Sequence, residues 1–339
     1  MTAAILGWDV GGANLKVVRL ETDSRQVRVL EIPFELWRRP QDLTAKLIEM
    51  AAQVGGGNVM AMTMTAELAD CFATKSEGVS SIIEAFCKAF PASELFVYGV
   101  DGVFRSPDDA SRLPHLIAAA NWMAGATMIG RAVSDAIFID VGSTTTDIVP
   151  IVGGRVAATG RTDSERLSAG ELVYTGALRT PICAIVRTVP LARRQCRVAA
   201  EYFAIAADAH LWLRNITEQD YTCETPDGRG CGRTEAGARL ARMVCADAAV
   251  LGEDALTDIA EHVAGAQVAQ ISSAIRQVQR SLQEPARVAI LAGRGQFLAR
   301  SAALRARLAA RDLLDVLPDA DVGAAAPAAA VAYLLAETA

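Results

Sequence analysis

No stretch of the 339-residue chain gathers the dense Lys and Arg of a duplex-binding face. Its 33 basic residues are scattered among 39 acidic ones, and the net charge is -6. Nucleic acid is therefore not an expected partner. No apolar run is long enough to cross a bilayer; even the Ala-rich tail from Ala324 to Ala336 is too short, and it follows Asp319 and Asp321. The N-terminus enters a strand pattern almost at once and lacks the basic-then-apolar order of a secretory signal. These absences predict a cytoplasmic protein with no membrane partner. Cysteine is sparse: seven residues, an odd number spread along a large chain, argue for reduced thiols over a disulfide framework. No C-x-x-C pair occurs, so His210, Cys223 and Cys231 are not expected to bind zinc. What the chain does have is apolar residues, 52% against 21% charged, which excludes general disorder and supplies two domains with cores of their own.

Two aspartates carry the strongest local signal. Asp9 closes the apolar run Ala4–Trp8 and opens Val10-Gly11-Gly12-Ala13-Asn14-Leu15-Lys16; Asp140 closes Ala136–Ile139 and opens Val141-Gly142-Ser143-Thr144-Thr145-Thr146-Asp147. Glycine lets backbone approach an oxyanion, and successive N–H groups can form a concave anion nest. Neighbouring hydroxyls and a lysine add donors, while a strand-end carboxylate can hold a hydrated divalent cation against phosphate charge. The unit occurs twice, which predicts two halves of a clamp, one hairpin from each lobe. A third turn, Ala292-Gly293-Arg294-Gly295, lies between a strand and a helix, where helix N–H groups favour anions.

Periodicity places these turns in a repeat. The first half reads as strands over Ile5–Asp9, Lys16–Leu20 and Val27–Ile32, a helix over Gln41–Ala52, a strand at Asn58–Thr65, a helix at Ser76–Phe90, a strand at Leu95–Val100 and a helix at Pro114–Ala132. The second begins the same way with Ala136–Asp140, Thr146–Val152 and Arg155–Thr159, turning at Gly153-Gly154. Residues 161–232 read as an irregular insertion bearing specificity. Helices follow at Thr234–Cys245, Asp254–Val263 and Gln267–Gln283, then a strand at Arg287–Leu291 and a helix at Gln296–Ala310. Leu313–Leu317 and a helix over Ala320–Ala336 close the chain. The expected division is 1–132 and 133–339.

This order of parts resembles the acetate and sugar kinase, Hsp70 and actin superfamily, whose fold is α/β with two ribonuclease-H-like lobes of mixed sheets flanked by helices. Within it the chain looks like a narrow branch near the hydantoinase and oxoprolinase proteins, the tetrahydromethanopterin-linked, methanofuran-biosynthesis synthases. The strings that carry this are Met62–Phe72 with Lys75, Glu77 and Gly78, Ala120-Asn121-Trp122, Val173–Pro181 and Arg239–Asp247. Two departures stand out: Ala292 precedes Gly293 where the superfamily's kinases carry a Gly-Gly pair, and the segment Cys223–Gly228 is altered relative to the synthases.

The resemblance implies a transferase condensing an aminomethylfuran-methyl diphosphate with a γ-glutamylated tyramine- or tyrosine-type phenol, forming an ether and releasing pyrophosphate. It implies Mg2+, held by Asp9 and Asp140, and no requirement for ATP. Gly11, Gly12, Ala13, Asn14, Gly142, Ser143, Thr144 and Thr145 would line the diphosphate, with Gly293, Arg294 and Gly295 as the nucleotide-type loop. Glu67 is the candidate base, with Lys16, Asp70 and Lys75 as further catalytic candidates. Two alternatives stay open: an ATP-dependent small-molecule kinase, and a nucleotide-dependent switch or filament protein. The partners expected are these small molecules and a second copy of the chain.

Overall fold

A computed structural model of the chain describes residues 4–316 and 325–338. They form two compact units, one of Met1–Ala136, Val149–Ser168 and Leu313–Ala339, the other of Ile137–Ile148 and Ala169–Asp312.

The first unit is built on β1 (Ala4–Val10), β2 (Asn14–Glu21), β3 (Val27–Pro33), β4 (Val59–Met64), β5 (Glu94–Tyr98) and β6 (Phe104–Arg105), in the order β3-β2-β1-β4-β5-β6. The meander expected at the N-terminus is there, and β4 and β5 run parallel to β1. Because β1 is covered on both faces, it reads as an apolar run without alternation. Leu6, Trp8 and Val10 pack in one core with Leu43, Leu47 and Met50 of α1 (Leu43–Val54) and Val79, Ile82 and Phe86 of α2 (Lys75–Ala89). Helix α1 ends where Gly55 turns left-handed, at φ 100°. Helix α2 starts on a near-reciprocal cap: Thr74 Oγ1 accepts the Glu77 N–H at 3.1 Å, and Glu77 Oε2 accepts the Ala73 N–H at 3.0 Å.

The helix expected over Pro114–Ala132 is divided. After α3 (Pro107–Arg112), α4 (Pro114–Ile117) and α5 (Asn121–Gly130) are separated by a turn in which Ala119 adopts φ 52°. That conformation costs a residue with a Cβ on the order of 1–3 kcal/mol, so the surroundings hold it in place.

A Cβ on Gly7 would lie 2.0 Å from the Ala328 carbonyl oxygen of α13 (Ala326–Ala336). The helix can lie on β1 only because this position has no side chain. Gly7→Ala is expected to destabilise the protein by about 2 kcal/mol, since backbone must move to relieve the overlap. Urea unfolding reads this directly. The part of the expected C-terminal helix at residues 320–324, and Leu317, lie outside the described residues.

The second sheet contains β7 (Ala136–Val141), β8 (Thr146–Val152), β9 (Arg155–Val156), β10 (Leu172–Val173), β13 (Val288–Ala292) and β14 (Ala309–Asp312), ordered β10-β8-β7-β13-β14 with β9 on β8. The Gly153-Gly154 turn is tight, with φ 56° and 73°. Between the sheet strands the chain forms α6 (Asp163–Ala169), α7 (Ile182–Ile185), a separate hairpin of β11 (Thr188–Leu191) and β12 (Arg194–Arg197), then α8 (Ala206–Trp212) and α9 (Arg233–Arg242). So the stretch expected to be irregular carries defined elements.

Two further expectations change. The helices read separately at Asp254–Val263 and Gln267–Gln283 belong to one long α10 (Ala248–Ser281), whose helical geometry is broken only at Gly252. The intervening Gly265 is a single exposed-propensity cost that the flanking alanines absorb. Helix α11 (Gln296–Arg305) stops before Arg307, which turns left-handed at φ 66°, and the remainder becomes β14, parallel to β13. The sequence Ala-Ala-Arg-Asp has no β-branched residue, so pairing with β13 decides its state. Strand β14 leads into α12 (Leu313–Val316). Among the described residues no helix is long and apolar enough to cross a membrane.

Candidate functional site

In the first unit the Asp9 turn joins β1 to β2, so that Asp9 lies opposite Lys16. The turn closes by a bond from the Gly11 N–H to the Asn14 carbonyl at 3.0 Å. Its outer carbonyls are taken up by the segment that follows β3: the Leu36 N–H donates to Gly12 O at 3.1 Å, and the Phe34 N–H to Ala13 O at 2.9 Å. In a trans peptide the N–H points opposite to the C=O, so the amides of Ala13 and Asn14 face away from residues 34–36. Tying back the carbonyls turns the donors outward, as an anion nest requires.

Asp9 is 2% exposed, and Lys16 Nζ meets its Oδ2 at 3.1 Å. On the other side Asp9 faces Thr63 of β4 in parallel register. Asp9 Oδ1 and Thr63 Oγ1 are both buried with no hydrogen-bond partner among the described residues. A buried unpaired carboxylate oxygen is costly unless something charged or polar completes it. Among the described residues no group of three or more His, Cys, Asp or Glu could cage a metal. Magnesium does not need such a cage, since it is commonly held by one or two carboxylates, waters and substrate phosphates. Asp9 fits that role.

Glu67 follows β4 at the same sheet edge, where Thr65 N–H bonds Val10 O at 2.9 Å. Its side chain is 1% exposed and Oε2 has no partner among the described residues. Burial pushes the carboxyl up to about 7, against the backbone N–H groups of Glu67 itself and Ala119 and the Lys75 ammonium, while Asp163 raises it further. The strained Ala119 thus directs an amide at this carboxylate. Gly78 lets α2 come close, because a Cβ there would lie 2.3 Å from the Glu67 carbonyl oxygen. Lys75 Nζ meets Asp163 Oδ2 at 2.6 Å, and Arg166 lies over the Trp122 ring with its guanidinium carbon 4.1 Å from the centroid. Asp70 is exposed. Lys75 is thus paired with Asp163, from the segment that the sequence reads as an insertion. A signal was present: Thr162 and Glu165 form a capping box, Glu165 N–H to Thr162 Oγ1 at 3.3 Å and Thr162 N–H to Glu165 Oε2 at 3.1 Å.

The second unit repeats the turn. The Gly142 N–H donates to Thr145 O at 2.9 Å, and the outer carbonyls are again tied back, Gly142 O by the Ala177 N–H at 2.9 Å and Ser143 O by those of Leu178 at 3.0 Å and Arg179 at 2.9 Å. The Ser143 and Thr144 amides consequently face away from residues 177–179. The third turn joins this one. Ala292 pairs opposite Asp140, the Gly295 N–H bonds Val141 O at 2.8 Å, and a Cβ on Gly293 would stand 2.2 Å from Asp140 Oδ1. With φ 86° as well, position 293 admits only glycine. The structure thus brings Asp140, Gly142–Thr145, Gly293, Arg294 and Gly295 to one sheet edge. The four catalytic candidates Lys16, Glu67, Asp70 and Lys75 lie with Asp9 and Gly11–Asn14 in the other unit.

His210 lies on α8 in the second unit. It is fully buried, burial holds its imidazole down to about 4, and Nε2 lies 2.8 Å from Gln267 Oε1.

Strands closed by aspartates and paired with glycine turns sit in two mixed α/β units, and residues 58–338 match the Hydantoinase/oxoprolinase family model. The chain belongs to that family. It is similar to the (4-{4-[2-(gamma-L-glutamylamino)ethyl]phenoxymethyl}furan-2-yl)methanamine synthase of Methanocaldococcus jannaschii, with 40% identity over 261 residues, 77% of either chain. The synthase of the same name from Methanococcus vannielii is 43% identical over 124 residues, 37% of this chain and 55% of that one. Among solved structures, the nucleotide-free acetone carboxylase superposes with a TM-score of 0.57 at 10% identity, over 98% of this chain and 70% of that one. The ethanolamine utilization protein EutJ of Carboxydothermus hydrogenoformans gives 0.50 at 12%, over 97% and 89%. The fold is of the actin, sugar kinase and Hsp70 type.

Proposed function

We propose that the protein is a biosynthetic transferase that joins a phenolic amine to an aminomethylfuran-methyl diphosphate, in the formation of a methanofuran-type one-carbon cofactor. The observation that supports this most is the tied-back carbonyls of both acidic turns, which leave amide donors for a diphosphate. The product named for the Methanocaldococcus jannaschii relative is a phenoxymethylfuran. Making that ether requires a bond from the phenol oxygen to the methylene carbon and loss of a leaving group from it.

In the proposed step the C–O bond to diphosphate breaks, its electron pair leaves with pyrophosphate, the phenol oxygen bonds to the methylene carbon and the phenolic proton passes to Glu67. The electron-rich furan stabilises positive charge on that carbon. Turn amides and Lys16 stand where negative charge grows, the arrangement that does most to lower a barrier of this kind. Magnesium held by Asp9 would neutralise the departing diphosphate. Glu67 is poised as a base because an acid near pKa 7 is half ionised at neutral pH.

Incubation with a furylmethyl diphosphate and a phenolic amine, with and without Mg2+ and ATP, tests the proposal. Ether and pyrophosphate in equal amounts without ATP support it; ATP consumption with no ether would establish the kinase alternative instead.

The field around Glu67 gives a finer test of its role. Lys75→Met is expected to move the acidic limb of the kcat/KM profile above pH 7, because the ammonium favours the carboxylate. Asp163→Asn is expected to move it below, because that carboxylate opposes ionisation of Glu67. Two shifts in the same direction would refute the assignment.

A further inference from the structure

Behind the second turn, inside the same unit, lies a buried polar chain that the proposed chemistry does not use. Gln267 of α10 and His210 of α8 are fully buried. Gln267 Nε2 donates to Thr175 Oγ1 at 2.8 Å and to Gly176 O at 2.9 Å. With both amide hydrogens committed, Gln267 Oε1 can only accept, so the His210 Nε2 at 2.8 Å carries the hydrogen. His210 Nδ1 then accepts from Asn215 Nδ2 at 3.3 Å. Every member is satisfied in one tautomer only, and a fully satisfied buried network fixes a single geometry.

What it fixes is the sleeve around the turn. Thr175 O also accepts from Thr146 Oγ1 at 2.7 Å, and the Gly176 N–H donates to Thr180 Oγ1 at 3.0 Å. Gly176 lies flat on the turn: a Cβ there would come within 2.5 Å of Thr144 N and 2.6 Å of Ser143 C. The next three amides are those that hold the Gly142 and Ser143 carbonyls. Helix α10, braced from α8 through His210, thereby grips Thr175 and Gly176, and Gly176 packs against the Ser143–Thr144 peptide units of the turn.

We infer that Gln267, oriented by His210, is a positioning residue that holds the Ser143–Thr144 amides in diphosphate-binding geometry by anchoring Thr175 and Gly176. The inference rests on the proposed function for its ligand, but not for the anchoring itself. A role confined to stability would lower the unfolding midpoint and leave the turn and its ligand alone.

The test uses Gln267→Met, which conserves volume, beside Thr175→Val and Thr175→Ser, which remove and retain the hydroxyl acceptor. Amide hydrogen exchange of the folded proteins is followed for peptides covering 141–146 and 11–14, with titration of inorganic pyrophosphate in Mg2+. Exchange of 141–146 is expected to speed at least tenfold in Gln267→Met and Thr175→Val, with 11–14 unchanged and Thr175→Ser near wild type. Pyrophosphate affinity is expected to fall about tenfold, a loss of about 1.4 kcal/mol, and KM for the diphosphate substrate to rise more than that for the phenol. Unchanged exchange at 141–146 in a folded Gln267→Met protein overturns the inference. Faster exchange with no pyrophosphate bound even by wild type keeps the anchoring and overturns the proposed function instead. Should Gln267→Met not fold, the Thr175→Val and Thr175→Ser pair decides by the same readouts.

Discussion

Glu67→Gln is expected to lower kcat by 10²–10⁴-fold with little change in KM for either substrate, the range that a positioned general base supplies. The amide has the size of the carboxyl but cannot take the phenolic proton. In the wild type, activity should climb as pH rises through about 7, where the buried carboxyl ionises, and this limb should vanish from the residual activity of the variant. The same carboxyl links to stability with the opposite sign. Its folded value lies above the ordinary 4.5, so its contribution is complete below about pH 4.5 and is lost as pH rises through about 7. The working form is the less stable one. Chemical unfolding of wild type and Glu67→Gln between pH 5 and 8 should show the wild type losing stability relative to the variant as pH rises. A variant that kept full activity and the same pH profile would remove Glu67 from the chemistry.

Asp9→Asn is expected to have the next largest effect, about 10³-fold on kcat/KM, because a metal neutralising a leaving group contributes several kcal/mol. It also removes the ion pair with Lys16. The separation of these two losses comes from Lys16→Met, which keeps the carboxylate and should cost about 10²-fold, the loss seen when one donor to a developing anion is removed. The decisive measurement is the Mg2+ dependence: Lys16→Met should retain saturation by the metal, and Asp9→Asn should not. Equal metal dependence in both would place the cation elsewhere. In the folded protein without ligand, Asp9→Asn takes away a buried carboxylate oxygen that has no partner among the described residues, a gain set against the loss of the Lys16 pair. Loss of activity in a variant whose unfolding midpoint is kept would be strong support.

Much of this arrangement was readable from residue order alone. The acidic turns announced themselves because a carboxylate at the end of an apolar run, followed by Val-Gly, is a local pattern, and the hairpins it predicts form in both units. The third turn was also legible, but its use was not: only parallel pairing of β13 with β7 brings Gly293 against Asp140, and such pairing is set by tertiary structure. Thr63 escaped notice for the same reason. A threonine inside Met62-Thr63-Met64 looks like any strand residue until the register puts it beside Asp9. Asp163 and Arg166 were hidden by distance along the chain, although Thr162 and Glu165 marked the start of their helix. The strand Ala309–Asp312 lacked any intrinsic preference to betray it, and the helix broken at Ala119 showed no Pro or Gly there.

The helix at the far end of the chain rests on the strand that begins it, through a glycine with no room for a methyl group. During synthesis the first 136 residues therefore emerge with one face of their central strand uncovered, and they wait for the last dozen before that sheet is closed. Long-range closure of this kind slows folding and leaves an apolar surface open to chaperones or to aggregation. Chains truncated before Ala326 should accordingly fail to close the sheet around the N-terminal strand.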